Sequence, residues 1–179
     1  FDVGHPRAQF VMMQPVDTFT LDPVRASWQH DIRVGRALYE PLVVKDPDTG
    51  EIQPGVADRW ECAPDGVTWT FHLCPDARWS NGDPVRAADF VYGWRKLVDP
   101  KEAATFAWFA QLAHFDKVDE IVEGKLPPEA LGVQALDDHT LQVTLSQPVP
   151  YFLSLLTHPS LSPLHRASME QYGSQWTQP

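Results

Sequence analysis

Cys62, His72 and Cys74 are the first residues whose types and spacing invite chemistry, because two thiols and an imidazole in one short stretch suggest a disulfide or a zinc site. The pattern around them argues against both. Trp60-Glu-Cys62 and Val67–Leu73 alternate with period two about Ala63-Pro64-Asp65-Gly66, a turn with proline second and glycine fourth. If that turn sets the register, Cys62 faces Val67 and Cys74 faces Gly55. The two cysteines then lie about seven strand positions apart, roughly 20 Å at about 3.3 Å per residue. A disulfide tolerates Cα atoms only up to about 7 Å apart. Two free, packed thiols are expected, and no metal site.

The other reactive residues are dispersed. The seven histidines form no His-x-x-x-His or His-Glu-x-x-His pattern. Asp137-Asp138-His139 sits where a hairpin turn is expected, and aspartate favours turns without any catalysis. Neither a Gly-x-Ser-x-Gly elbow nor a glycine-rich phosphate loop occurs. No catalytic residue, metal site or cofactor is therefore expected. Trp69, Phe71, Trp79, Phe90 and Trp94 fit the inward faces of a strand and a helix, which makes them core. Trp28, close after a helix cap, and Phe106, in a helix with few charges, are less tied to one core face. They are the better candidates for a ligand-facing wall, with core packing as the alternative for both.

The elements that position these residues follow from periodicity. Ala8–Gln14 reads as a buried strand, and Ser27 as the N-cap of a helix through Trp28, Ile32, Leu38 and Tyr39. Pro41–Val44 is extended. After the Trp79 loop, Phe90, Val91, Trp94, Leu97 and Val98 mark a helix. Its capping box is half made, since Asp89 supplies the reciprocal acceptor while Arg86 stands at the cap. Further helices are expected over 103–115, 118–123, from Pro150, and near 163–172 ending at Gly173. Gly132–Leu136 and Leu141–Leu145 form a second hairpin. Interleaved strands and helices with two hairpins predict an α/β fold, a mixed sheet with flanking helices.

The 179 residues suffice for one domain with a sizeable core, and the 43% hydrophobic content is that of a globular protein. A net charge of −10 with scattered Lys and Arg argues against a nucleic-acid partner. No apolar run is long enough to span a bilayer. The end on Trp176-Thr-Gln-Pro179 reads as that of a piece of a longer chain.

Several ordered segments carry a family resemblance: Thr20-Leu-Asp-Pro23, Leu38-Tyr-Glu-Pro-Leu42, Pro54-Gly-Val-Ala57 with Trp60, and the run from Trp69 to Trp94. Gly132–Leu141, Val143–Pro148, Pro150-Tyr-Phe152 and Trp176–Pro179 continue the series. In this order they resemble the oligopeptide-binding members of the family 5 (peptide/nickel-type) extracellular solute-binding proteins of ABC importers. The resemblance implies a class II periplasmic-binding-protein fold with an extra lobe. Residues 1–39 would start the first main lobe, 40–165 form the extra lobe, and 166–179 begin the return. It also implies an extracytoplasmic protein that captures an oligopeptide between two lobes and delivers it to permease subunits, without catalysis. By position, the ligand-facing loop falls on Ser27, Trp28 and Gln29, and an aromatic wall residue on Phe106. This chain departs from the family pattern in having Ser27 in place of an acidic residue and Phe106 in place of a tyrosine. With one wall of such a cleft, peptide affinity is expected to be very weak. Alternatives within the fold are a dipeptide, murein peptide or nickel-complex receptor; outside transport, a ligand-sensing domain of a regulator.

Overall fold

The computed structural model describes residues 17–177. The expected strand over 8–14 lies outside them. A helix α1 (Gln29–Leu38) precedes a two-stranded ribbon of β1 (Val43–Lys45) and β2 (Ile52–Pro54). A four-stranded antiparallel sheet then forms from β3 (Ala57–Cys62), β4 (Thr68–Leu73), β5 (Val133–Ala135) and β6 (Thr140–Thr144), in the order β3-β4-β6-β5. Helix α2 (Ala87–Val98) follows β4, and α3 (Ala107–Leu112) and α4 (Val118–Val122) follow α2. After β6 come α5 (Phe152–Leu155), a 3₁₀ turn over Pro159–Leu161, and α6 (Arg166–Tyr172). The α/β composition holds and both hairpins are present, but the sheet is antiparallel throughout and not mixed, because its neighbouring strands are joined by hairpins or pair in opposite directions.

One face of the sheet is apolar because alternate residues point the same way. Phe71, Leu141 and Val143 are fully buried there, and the α2 stripe Phe90, Trp94, Leu97 and Val98 belongs to the same core. Trp94 packs edge-on to Phe90 and Phe115 at 5.9 and 5.1 Å between ring centres. Its indole N–H donates to the Leu161 carbonyl at 2.8 Å. Gly93 lets that return segment approach: a Cβ there would stand 3.2 Å from the Ser162 carbonyl oxygen. The 3₁₀ turn is thereby pinned to the core helix.

The first hairpin corrects the expected register. Gly66 N–H donates to the Ala63 carbonyl, closing the expected turn with φ +73° at Gly66. The Asp65 carboxylate then accepts from the N–H groups of both Val67 and Thr68 at 2.9 Å. Those bonds lengthen the loop, so the ladder resumes at Ala63 N–H to the Thr68 carbonyl, and Cys62 faces Trp69, not Val67. A bulge between Ala57 and Arg59 shifts the far end, where Cys74 N–H meets the Val56 carbonyl and not Gly55. Both cysteines are free. Cys74 is half-buried, but Cys62 is exposed and so not packed, because it is the last residue of the edge strand β3. Thiol counting under denaturing, non-reducing conditions is expected to find two reactive groups per chain, and in the native state Cys62 is expected to react first. Finding none in a monomer would contradict this register.

Helix limits also differ. Trp28, extended at φ −107°, is the N-cap of α1 and makes no side-chain cap; Ser27 lies one residue outside. The first turn is anchored instead through buried Asp31, whose Oδ1 accepts the Phe19 N–H at 2.9 Å. The helix expected over 103–115 shrinks to α3. Asp99 caps a 3₁₀ turn at Pro100–Glu102, Ala103 turns left-handed at φ +48°, and His114 ends the segment at φ +54°. Helix α5 starts at Phe152 with Tyr151 as its cap, so Pro150 precedes it. At α2, Asp89 accepts the Arg86 N–H at 2.9 Å, while the guanidinium of Arg86 has no acceptor to return the bond. The half-made cap is therefore as expected. Asp89 also accepts the Trp79 indole N–H at 3.1 Å, and burial raises its pKa.

Candidate ligand-binding site

Two aromatic surfaces carry the residues singled out from sequence. Ser27, Trp28 and Gln29 are all exposed at the start of α1. Trp28, 60% exposed, stacks on His30 at 6.3 Å, and His30 in turn contacts Phe19. An indole this open keeps more than half of its surface available to a partner.

Phe106 belongs to the second surface. It occupies the N-cap of α3, not the helix interior, and is half-buried. Its ring lies 4.9 Å from His158 and 6.2 Å from Phe109, with Trp108 a further neighbour. Phe109 and His158 stack at 4.3 Å with their planes 23° apart. The result is a wall of aromatic faces with one imidazole in it.

That imidazole is neutral at pH 7. Burial, with the nearby charge of Arg36 adding to it, pushes the His158 pKa down to about 4. Its Nδ1 accepts the Ser160 N–H at 3.3 Å, which places the ring proton on Nε2. The wall therefore offers apolar ring faces and no fixed charge, a surface suited to apolar or aromatic side chains.

The two surfaces share no ring contact among the described residues; helix α1 links them. Pro159, next to His158, lies against Gly35 on α1, where an added Cβ would stand 3.5 Å from the proline Cβ. His158, Trp108 and Arg36 were not singled out from sequence. The one sequence signal at His158 is its place before Pro159-Ser160, where an acceptor side chain caps a 3₁₀ turn.

His165 forms a second constellation, which looks like a catalytic triad. Its Nδ1 lies 2.6 Å from Ser168 Oγ and its Nε2 lies 3.1 Å from Asp83 Oδ2. The same Nδ1 accepts the Ser168 N–H at 3.3 Å as the N-cap of α6. A nitrogen that accepts both the N–H and the hydroxyl of the third helical residue is a helix cap, which accounts for the His165–Ser168 pair without catalysis. No group of three His, Cys, Asp or Glu among the described residues is arranged to hold a metal ion. No helix among them is long and apolar enough to cross a membrane.

Comparison with known proteins gives the same fold and places it in a lineage. The chain is 51% identical to the periplasmic oligopeptide-binding protein OppA of Escherichia coli K12 over 160 residues, 89% of this chain and 29% of OppA. The solved Escherichia coli murein tripeptide binding protein MppA superposes with a TM-score of 0.85 at 44% identity, covering 89% of this chain and 31% of that one. Haemophilus influenzae OppA, solved with the peptide RPPGFSPFR, gives 0.84 at 46% identity, with 88% and 30% covered. The chain thus spans about a third of the length of these relatives. Residues 51–179, which hold both hairpins, α2 and the Phe106–His158 wall, match the family described as bacterial extracellular solute-binding proteins, family 5, middle region. By that match and by its identity to OppA, this chain belongs to the family 5 bacterial extracellular solute-binding proteins.

Proposed function

We propose that the protein containing this chain is the extracytoplasmic substrate-binding subunit of an ABC importer for oligopeptides. It captures a peptide in a cleft between lobes, hands it to permease subunits, and carries out no chemistry of its own. Residues 1–39 and 166–179 contribute to a main lobe and 40–165 make the extra lobe. Ser27, Trp28, Gln29 and Phe106 face the ligand. The observation that carries this reading is the uncharged aromatic wall of Phe106, Phe109 and His158 in a chain of this family. Such a wall binds side chains by apolar contact and discriminates little among sequences, as a receptor for mixed peptides requires. The absence of an acidic side chain at position 27 fits ligands held by their backbone and side-chain bodies.

The test is native purification of the full-length protein and mass spectrometry of whatever it retains. Short peptides of mixed sequence are expected. Retention of sugars, metal chelates or haem alone would overturn the peptide assignment and leave the family membership standing. For a recovered peptide, Phe106→Ala is expected to raise Kd at least tenfold at a temperature well below the variant's own, somewhat lowered, melting midpoint, about the loss expected for an aromatic contact removed.

A further inference from the structure

A hollow of about 320 Å³ opens between the last turn of α1, strand β1 and the Thr157–Ser162 segment. None of its lining residues carries a carboxylate, although the chain as a whole carries a net charge of −10. Its two charged residues are Arg36 and Lys45, both exposed, and neither enters an ion pair among the described residues. Ser162 also lines it, only 2% exposed, with a hydroxyl that has no hydrogen-bond partner. The remaining hydroxyls are engaged: Tyr39 donates to the Leu21 carbonyl and Thr157 to the Ser154 carbonyl.

Two cations lining one hollow with no carboxylate among its lining residues make it electropositive, and a buried hydroxyl without a partner is unfavourable. We propose that this hollow is an anion site, taking an oxyanion of the phosphate class between Arg36 and Lys45. The guanidinium fork matches two oxygens of a tetrahedral oxyanion, and the ammonium adds a point charge. The C-terminal end of α1 opposes an anion with about half an elementary charge, which the two full cationic charges outweigh. The volume exceeds that of inorganic phosphate and leaves room for a small phosphomonoester. Arg36 couples the hollow to the aromatic wall, because the same guanidinium lowers the His158 pKa. Filling the site would cancel part of that field.

The experiment is an amide-resolved NMR titration of the isotope-labelled 179-residue chain with sodium phosphate and with glycerol 1-phosphate. Sodium chloride at matched ionic strength is the reference, and the R36Q/K45Q variant runs in parallel. Saturable shifts centred on Arg36, Lys45 and Ser162 are expected, weakened at least tenfold in the variant, together with a rise in the His158 ring pKa on saturation. The exposed positions of both substituted side chains keep the variant folded, which its spectral dispersion verifies. Tighter binding of phosphate or of glycerol 1-phosphate identifies the free anion or the ester as the ligand. Shifts equal to those from chloride, or unchanged affinity in the variant, would overturn the proposal.

Discussion

Trp94→Ala is expected to remove about 5 kcal/mol of stability, as much as the whole stability of a domain at the low end of the usual range of about 5–15 kcal/mol. The side chain is 1% exposed and lies among Phe90 and Phe115, so truncation opens a large cavity in a region already packed by rings. Deleting a buried tryptophan typically costs about 3–5 kcal/mol through lost transfer energy and the cavity. The substitution also leaves the Leu161 carbonyl without its donor, adding about 1–3 kcal/mol where no water reaches it. Urea denaturation measures the total, and Trp94→Phe separates the parts, since it keeps most of the apolar volume and loses the N–H. A loss below about 1 kcal/mol for the alanine variant would mean that the core does not depend on this residue. The bond to Leu161 also holds the 3₁₀ turn that carries His158 at its start. Trp94→Phe is therefore expected to loosen the aromatic wall first, visible as faster amide exchange at Leu161 and Ser162.

Much of this was legible in the sequence where structure is local. Helix α2 follows from the spacing of Phe90, Trp94, Leu97 and Val98, and both hairpins follow from alternation about turn residues. The hairpin register was not legible, because it depends on one carboxylate: Asp65 takes two backbone N–H groups and moves the ladder by two positions. Phe106 was legible as an aromatic of interest but not as a helix cap, because the left-handed turn at Ala103 carries no glycine to announce it. His158 could not be found from spacing at all. Its environment comes from Arg36, Phe106 and Phe109, which are distant in sequence and brought together by α1, α3 and the 3₁₀ turn.

Lowering the pH from 7 to 4 is expected to cost about 2 kcal/mol through His158 alone. Its folded pKa, about 4, lies below the ordinary value of 6.5, so between these limits the unfolded chain binds the proton and the folded chain does not. Stability therefore rises with pH across that window, and the contribution is complete above about pH 6.5 and gone below about 4. The full shift would correspond to about 3 kcal/mol, and partial solvent access to the ring reduces this to about 2 kcal/mol. The check is the difference between wild type and His158→Gln in urea midpoints at several pH values, which cancels every other titrating group to first order. The wild-type curve is expected to fall away from the variant's as the pH drops below about 6.5. Parallel curves would mean that His158 is solvated and that the wall is open on both sides. Arg36→Gln gives an independent reading, since removing that charge raises the His158 pKa and moves the window upward. A proton on His158 would place a cation in a wall otherwise built of aromatic faces, beside Phe106 and Phe109. Acid is therefore expected to weaken apolar side-chain binding there before it unfolds the chain.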